Sequence, residues 1–212
     1  MKLYGHFISV TTLQVVTLLC AKNHRAELVI VDVFAREQKK PQHLARHPFG
    51  HIPVIEDDGF WLYETHAILR YLDARLPGPL HSPTVLRDRA RMDQWLCIEQ
   101  NYLVPAAKKI MARDYAKMMG QPDPGEGIVE AGKRELPVAL DQFGAWIANK
   151  PYVAGDTFSL ADICWWAMLR QMSQMKPLDD SRILPWWTRV DGRTECRQAV
   201  EILASADPGP RL

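Results

Sequence analysis

No run of this sequence approaches the roughly 20 consecutive apolar residues that span a bilayer, and no charged-then-apolar leader opens it. The expected address is therefore cytoplasmic, with no membrane partner. An excess of one charge is missing as well: 26 Lys and Arg stand against 25 Asp and Glu, a formal net charge of +1. Without a basic block, nucleic acid has no electrostatic handle on the chain. Cysteine is sparse. The four cysteines lie at positions 20, 97, 164 and 196, with no C-x-x-C pair and no histidine at zinc spacing, so they read as reduced thiols rather than metal ligands or a disulfide framework. None of the seven histidines forms a pair that argues for a metal, and no metal site is expected. Repeats and low-complexity segments are also lacking. What remains is 212 residues, 47% of them hydrophobic, enough for one large or two small globular domains with real cores.

The pattern of elements favours two. Leu3-Tyr4 begins a short strand, Thr12 to Lys22 carries a helical stripe at Leu13, Val16, Leu19 and Cys20, and Leu28 to Val31 reads as a buried strand. Strand, helix, strand implies a parallel crossover. Pro53 to Glu56 and Trp61 to Tyr63 add a hairpin around Asp57-Asp58-Gly59-Phe60, followed by a helix from Glu64 with an apolar stripe at Ala67, Ile68, Tyr71 and Leu72. The stretch Leu76 to Pro83 holds three prolines and a glycine, which neither helix nor strand absorbs. The expected division is a small α/β domain over 1–76, a linker over 77–83 and an all-helical domain over 84–212. In the second domain, helical periodicity runs from Arg87 to Met119 with a kink at Pro105, and again from Glu126 to Asn149 with a bend at Pro137. Phe158-Ser159-Leu160-Ala161-Asp162-Ile163 has the spacing of a capping box with a hydrophobic staple. Loss of Ser159 should cost about 1 kcal/mol or somewhat more. Short helices near Pro185 to Asp191 and Glu195 to Ala204 close the domain, and Asp207-Pro208-Gly209-Pro210 reads as a frayed tail.

The densest chemical signal is His47-Pro48-Phe49-Gly50-His51-Ile52-Pro53-Val54 with Glu64-Thr65-His66-Ala67-Ile68 ten residues on. A proline opening a strand removes one ladder donor, and a cis bond before it lets the amide and carbonyl of Ile52 face outward to pair with an extended peptide. The free amides of a helix start near Glu64 attract a carboxylate. Together they describe a site for a small acidic peptide.

The pattern Asn/His-Pro-Phe-Gly-x-hydrophobic-Pro, then Glu-Ser/Thr-x-Ala-Ile, resembles the glutathione-binding half of cytosolic glutathione S-transferases. Met1 to His6 is similar to that family's first strand, Glu37 to Lys40 to the stretch before its second helix, and Gly155 to Ile163 to the signature of its helical half. Gly5-His6-Phe7-Ile8-Ser9-Val10-Thr11-Thr12 keeps the Gly, His, Ser and Thr of the plant-type phi class, with a theta-like pattern as the neighbouring alternative; Phe7 replaces the phi-class proline, and Leu13-Gln14 replace a basic pair. The resemblance implies a thioredoxin-like N-terminal domain plus an all-α C-terminal domain, usually as a homodimer, with glutathione as co-substrate, a hydrophobic electrophile as second substrate, a role in detoxification and no permanently bound cofactor. It implies Ser9 as the catalytic residue, donating to the glutathione thiolate. Thr11, Thr12 and Tyr4 are its rivals, and a helix-capping role for Ser9 stays open. Ile52 would pair with the cysteinyl unit before Pro53, Glu64 and Thr65 would hold the γ-glutamyl end, and Lys39 would pair with the glycyl carboxylate. Gln38 and His51 stand where relatives carry other donors. Phe7, Met111, Tyr115 and Met118 are expected to line the electrophile site. Two further readings share the scaffold: a non-catalytic ligand or partner carrier, and another glutathione reaction such as peroxide reduction, isomerisation or dehalogenation.

Overall fold

Lys2–Gly5 is the first strand, β1, exposed at Lys2 and buried from Leu3 to Gly5. After α1 (Val10–Ala21) the chain returns as β2 (Glu27–Ile30), parallel to β1 with Leu3 opposite Leu28. Strands β3 (Val54–Asp57) and β4 (Phe60–Tyr63) follow as an antiparallel hairpin on a two-residue Asp58-Gly59 turn, β3 also pairing antiparallel with β1. The resulting four-stranded sheet has the order β2-β1-β3-β4, so the central strands are the buried ones: Leu3, Val54 and Ile55 are almost wholly enclosed. Between β2 and β3 the chain makes a 3₁₀ turn at Glu37–Lys39 and a short helix α2 (Pro41–Leu44). The helix α3 (Thr65–Arg75) completes the α/β layer. The computed structural model describes residues 1–174 and 177–207; Pro208, Gly209 and Pro210 of the expected tail lie outside them.

By packing, the chain forms two compact units, Met1–Ser82 together with Arg189–Leu212, and Pro83–Thr188. The sequence division placed residues 84–212 together; the structure differs in the last helix, α10 (Thr194–Ser205), which packs against α1 in the first unit. Two expected stripes are also corrected. Helix α1 buries Thr12, Gln14, Val15, Val16, Thr17, Leu18 and Leu19, leaving Leu13 and Cys20 only partly covered, because α3 and α10 both pack on it. Helix α3 buries Ile68, Leu69 and Leu72, while Ala67 is exposed and Tyr71 partly so.

The expected linker is held to the first unit by a buried ion pair. Lys22 Nζ lies 2.9 Å from the Asp73 carboxylate with both side chains enclosed, and it donates to the carbonyls of Asp73 and Pro79, each at 2.7 Å. All three ammonium hydrogens are thereby used. Asp73 in turn accepts from the amides of His81 and Ser82.

In the second unit the long periodic stretch is divided into α4 (Leu86–Ile98), a π turn at Glu99–Leu103, α5 (Val104–Ile110) and α6 (Ala112–Met118). The π turn sits just ahead of Pro105, which cannot donate to the preceding turn. Helix α7 (Glu126–Ile147) carries Pro137 inside it, and α8 (Leu160–Ser173) begins with the capping box of Ser159 and Asp162. Asp162 does more than cap. It accepts from the Ser159 amide, the Ser159 hydroxyl, the Val153 amide and the Trp186 indole, and burial still pushes its carboxyl above the ordinary range. Phe143 stacks on Trp165 at 4.0 Å and meets Trp186 edge-on. Helix α9 (Leu184–Asp191) carries Trp186.

Candidate active site

The loop between β1 and α1 is built around Thr12. A Cβ on Gly5 would lie 2.6 Å from Thr12 Oγ1, so only glycine admits that hydroxyl beside the strand. Thr12 Oγ1 accepts from the His6 amide at 3.2 Å, and the Thr12 amide donates to Ser9 Oγ at 3.2 Å, making Ser9 the N-cap of α1. The spacing Gly-His-x-x-Ser-x-x-Thr is thus one interlocked turn.

This turn sorts the candidate hydroxyls. Thr12 is fully buried with its oxygen committed to His6, so it has no route to a substrate. Tyr4, only 7% exposed, lies under the Arg46 guanidinium at 4.3 Å and beside Trp61. There it lines a small cavity of about 120 Å³ with Val29, Val31 and His43. Ser9 and Thr11 are partly exposed. Their oxygens lie 2.9 Å apart, and Thr11 Oγ1 donates to the Ile52 carbonyl at 3.1 Å.

The peptide bond between Ile52 and Pro53 is cis. The segment before it is fitted tightly to the 3₁₀ turn, since a Cβ on Gly50 would lie 2.6 Å from the Gln38 carbonyl and 2.9 Å from the Lys39 side chain. Lys39 Nζ donates to the Phe49 carbonyl at 2.8 Å, which brings its ammonium to this loop. Gln38 is partly covered, and its Oε1 is buried without a hydrogen bond.

At the other end of the loop, Glu64 is the N-cap residue of α3 with φ 71° and ψ 114°, a backbone conformation that side chains rarely adopt. Its carboxylate is 62% exposed. Thr65 is 9% exposed, so what it chiefly offers is its place in the first helical turn, whose amides lack intrahelical partners. His51 is exposed, and its carbonyl accepts from His43 Nε2 at 2.7 Å.

Beneath these residues lie two buried imidazoles that sequence reading did not assign to the site. His43 fastens the His51 carbonyl. His47 stacks near Tyr63 and points Nε2 toward Glu64 at 3.9 Å. Burial holds the His47 pKa below the ordinary imidazole value, opposed by the Glu64 charge. The spacing of 43, 47 and 51 at intervals of four was the available signal.

The structure therefore brings Ser9 and Ile52 together through Thr11, and Lys39 together with the 49–51 segment. Phe7 lies in the first unit, stacked on His6 at 4.2 Å. In the second unit, Met111 joins α5 to α6 and is partly covered, whereas Tyr115 and Met118 are exposed on α6.

The glutathione S-transferase N-terminal domain model matches residues 1–74, and the glutathione S-transferase C-terminal domain model matches residues 106–183. The chain is 31% identical over 209 residues to a probable glutathione S-transferase GSTF2 of Oryza sativa subsp. japonica, covering 96% of this chain and 97% of the relative. It is 30% identical over 210 residues to glutathione S-transferase F11 of Arabidopsis thaliana, covering 96% and 98%. Among solved structures, glutathione transferase F7 from Populus trichocarpa superposes with a TM-score of 0.85 at 29% identity, over 95% of this chain and 98% of that one. With both halves matched and relatives similar along nearly its whole length, the chain belongs to the glutathione S-transferase family, nearest to its plant phi class.

Proposed function

We propose that this protein is a glutathione transferase in which Ser9 donates a hydrogen bond to the glutathione thiolate, and the thiolate attacks a hydrophobic electrophile. The observation that carries the reading is the hydrogen-bond state of Ser9. As N-cap it spends a lone pair on the Thr12 amide, and its single hydrogen, which faces Thr11 Oγ1, can turn toward a sulfur. Capping and thiol activation are thus compatible in one side chain. The energy required is modest: lowering a thiol pKa by about two units takes about 2.7 kcal/mol. One hydrogen bond to a charged group supplies about 1.5–3 kcal/mol, and the positive end of the twelve-residue α1 adds about 0.3–1 kcal/mol. Glutathione is the nucleophile; the protein positions and activates it.

In this reading the tripeptide pairs with the Ile52 backbone before Pro53. Glu64 and the Thr65 turn hold its γ-glutamyl end, and Lys39, with Gln38 and His51 as further donors, holds the glycyl carboxylate. In the second unit, Met111, Tyr115 and Met118 would serve the electrophile, since adaptable methionines suit varied apolar shapes. Glutathione is consumed as co-substrate rather than retained as a cofactor. A cytoplasmic address and a homodimeric assembly belong to the same proposal, the first supported by four cysteines that form no disulfide.

The test is Ser9→Ala. The variant should bind S-methylglutathione as the parent does, but lose about tenfold or more in conjugation rate near neutral pH, with its bound-thiol pKa raised by about one to two units. Unchanged turnover and an unchanged thiol pKa would remove Ser9 from the chemistry.

A further inference from the structure

An unbroken chain of hydrogen bonds ends on the carbonyl expected to receive the tripeptide. The Thr12 amide donates to Ser9 Oγ at 3.2 Å, the Ser9 and Thr11 hydroxyls are 2.9 Å apart, and Thr11 Oγ1 donates to the Ile52 carbonyl at 3.1 Å. Each hydroxyl owns one hydrogen. With the Thr11 hydrogen on Ile52, the bond between the two hydroxyls must use the hydrogen of Ser9, which is the one that thiolate stabilisation needs. Thr11 Oγ1 and the sulfur therefore compete for it.

Resting on the reading of Ser9 as the thiolate donor, we infer that Thr11 is a positioning residue that couples backbone pairing at Ile52 to the direction of the Ser9 hydrogen. When the cysteinyl amide of glutathione donates to the Ile52 carbonyl, Thr11 turns its hydrogen to Ser9 Oγ. Ser9 then accepts from the Thr12 amide and from Thr11, both lone pairs are filled, and its only hydrogen is left for the sulfur. No proton is transferred; two hydroxyl rotors change direction. A hydroxyl that accepts a second hydrogen bond is also a stronger donor, by about 10–30% per bond. In the phi-class pattern Gly-His-Pro-x-Ser-x-x-Thr, position 11 is unspecified, so the coupling is a property of this chain's own threonine.

The experiment titrates the thiol of bound glutathione on the full chain by thiolate ultraviolet absorbance. Thr11→Val, which replaces the hydroxyl by a methyl, should raise the bound-thiol pKa by about half a unit, which is about threefold less thiolate at a pH below it. The rate constant kcat should fall by the same factor, and affinity for S-methylglutathione should change less than about twofold, since that ligand has no thiolate to orient. Thr11→Ser should restore the parent pKa. Thr11→Ala should reproduce the shift without branched bulk, which keeps the test decisive if the valine variant folds poorly. In a Ser9→Ala background, Thr11→Val should move the pKa no further. If Ser9→Ala raises the thiol pKa but neither Thr11→Val nor Thr11→Ala does, or if the Ser9 and Thr11 effects simply add, the coupling is overturned and the proposed function stands. If Ser9→Ala itself leaves the pKa in place, both fall together.

Discussion

A serine at a helix start has one hydrogen and two acceptor sites, and much of this site's logic lies in how Ser9 distributes them. The places of Ser9 and Glu64 at helix starts were legible in the sequence, because short motifs mark both positions. The Thr11 bond to Ile52 was not, because its partners are 41 residues apart and only the folded loop brings them together. His43 and His47 were hidden for a similar reason: their roles come from burial behind Glu64 and His51, which spacing alone does not reveal. Glu64 carries the residue-scale prediction. The residue has a positive φ at the helix start and its carboxylate is exposed; under the proposed function it receives the cationic amino group of the γ-glutamyl unit. Glu64→Gln keeps the shape and removes the charge. It should raise KM for glutathione by about three- to tenfold, the size of a charge-assisted hydrogen bond partly screened by water. Little change is expected in kcat, because the contact is the same in ground and transition states. An equal fall in kcat with unchanged KM would place Glu64 in the chemistry instead.

At the scale of elements, periodicity found the helices more reliably than it found their buried faces. Helices α1 and α3 were anticipated, but the apolar side of each depends on what packs on it, and the return of α10 onto α1 leaves no trace in the local pattern of α1. The proline-rich stretch after α3 shows the same limit. Its composition reads as a linker, yet Lys22 and Asp73 tie it down through Pro79, His81 and Ser82. Burial acts to raise the Asp73 carboxyl, but the donors from His81, Lys22 and Ser82 outweigh it and hold the pKa below the ordinary aspartate value. A carboxyl lowered in the folded state adds stability that is fully present above its unfolded value and is lost as pH falls through the folded one. Acid titration followed by circular dichroism should therefore show part of the parent's stability disappearing below the ordinary carboxylate range. Asp73→Asn should lose about 3–5 kcal/mol at neutral pH, because it strands the Lys22 ammonium in the interior. A variant as stable as the parent at neutral pH, with the same acid limb, would show that the pair contributes nothing.

For the whole molecule, the expected assembly is a pair of chains. Light scattering coupled to size exclusion should give the mass of two 24.2 kDa chains; the mass of one at micromolar concentration would exclude the proposed homodimer. The α/β order of the first unit, the helical character of the second, the cap that opens α8 and the family itself followed from the sequence alone. Each is written in neighbouring residues whose local chemistry repeats wherever that pattern occurs: a short apolar run for a strand, a Ser-x-x-Asp start for a helix, a proline at a strand entrance. Only the tertiary structure decided that α10 joins the first unit, that Thr12 is enclosed while Ser9 stays partly exposed, and that Thr11 reaches Ile52. These depend on which distant groups fill the space and the lone pairs around a residue, and a linear order of side chains does not specify the occupants of that space.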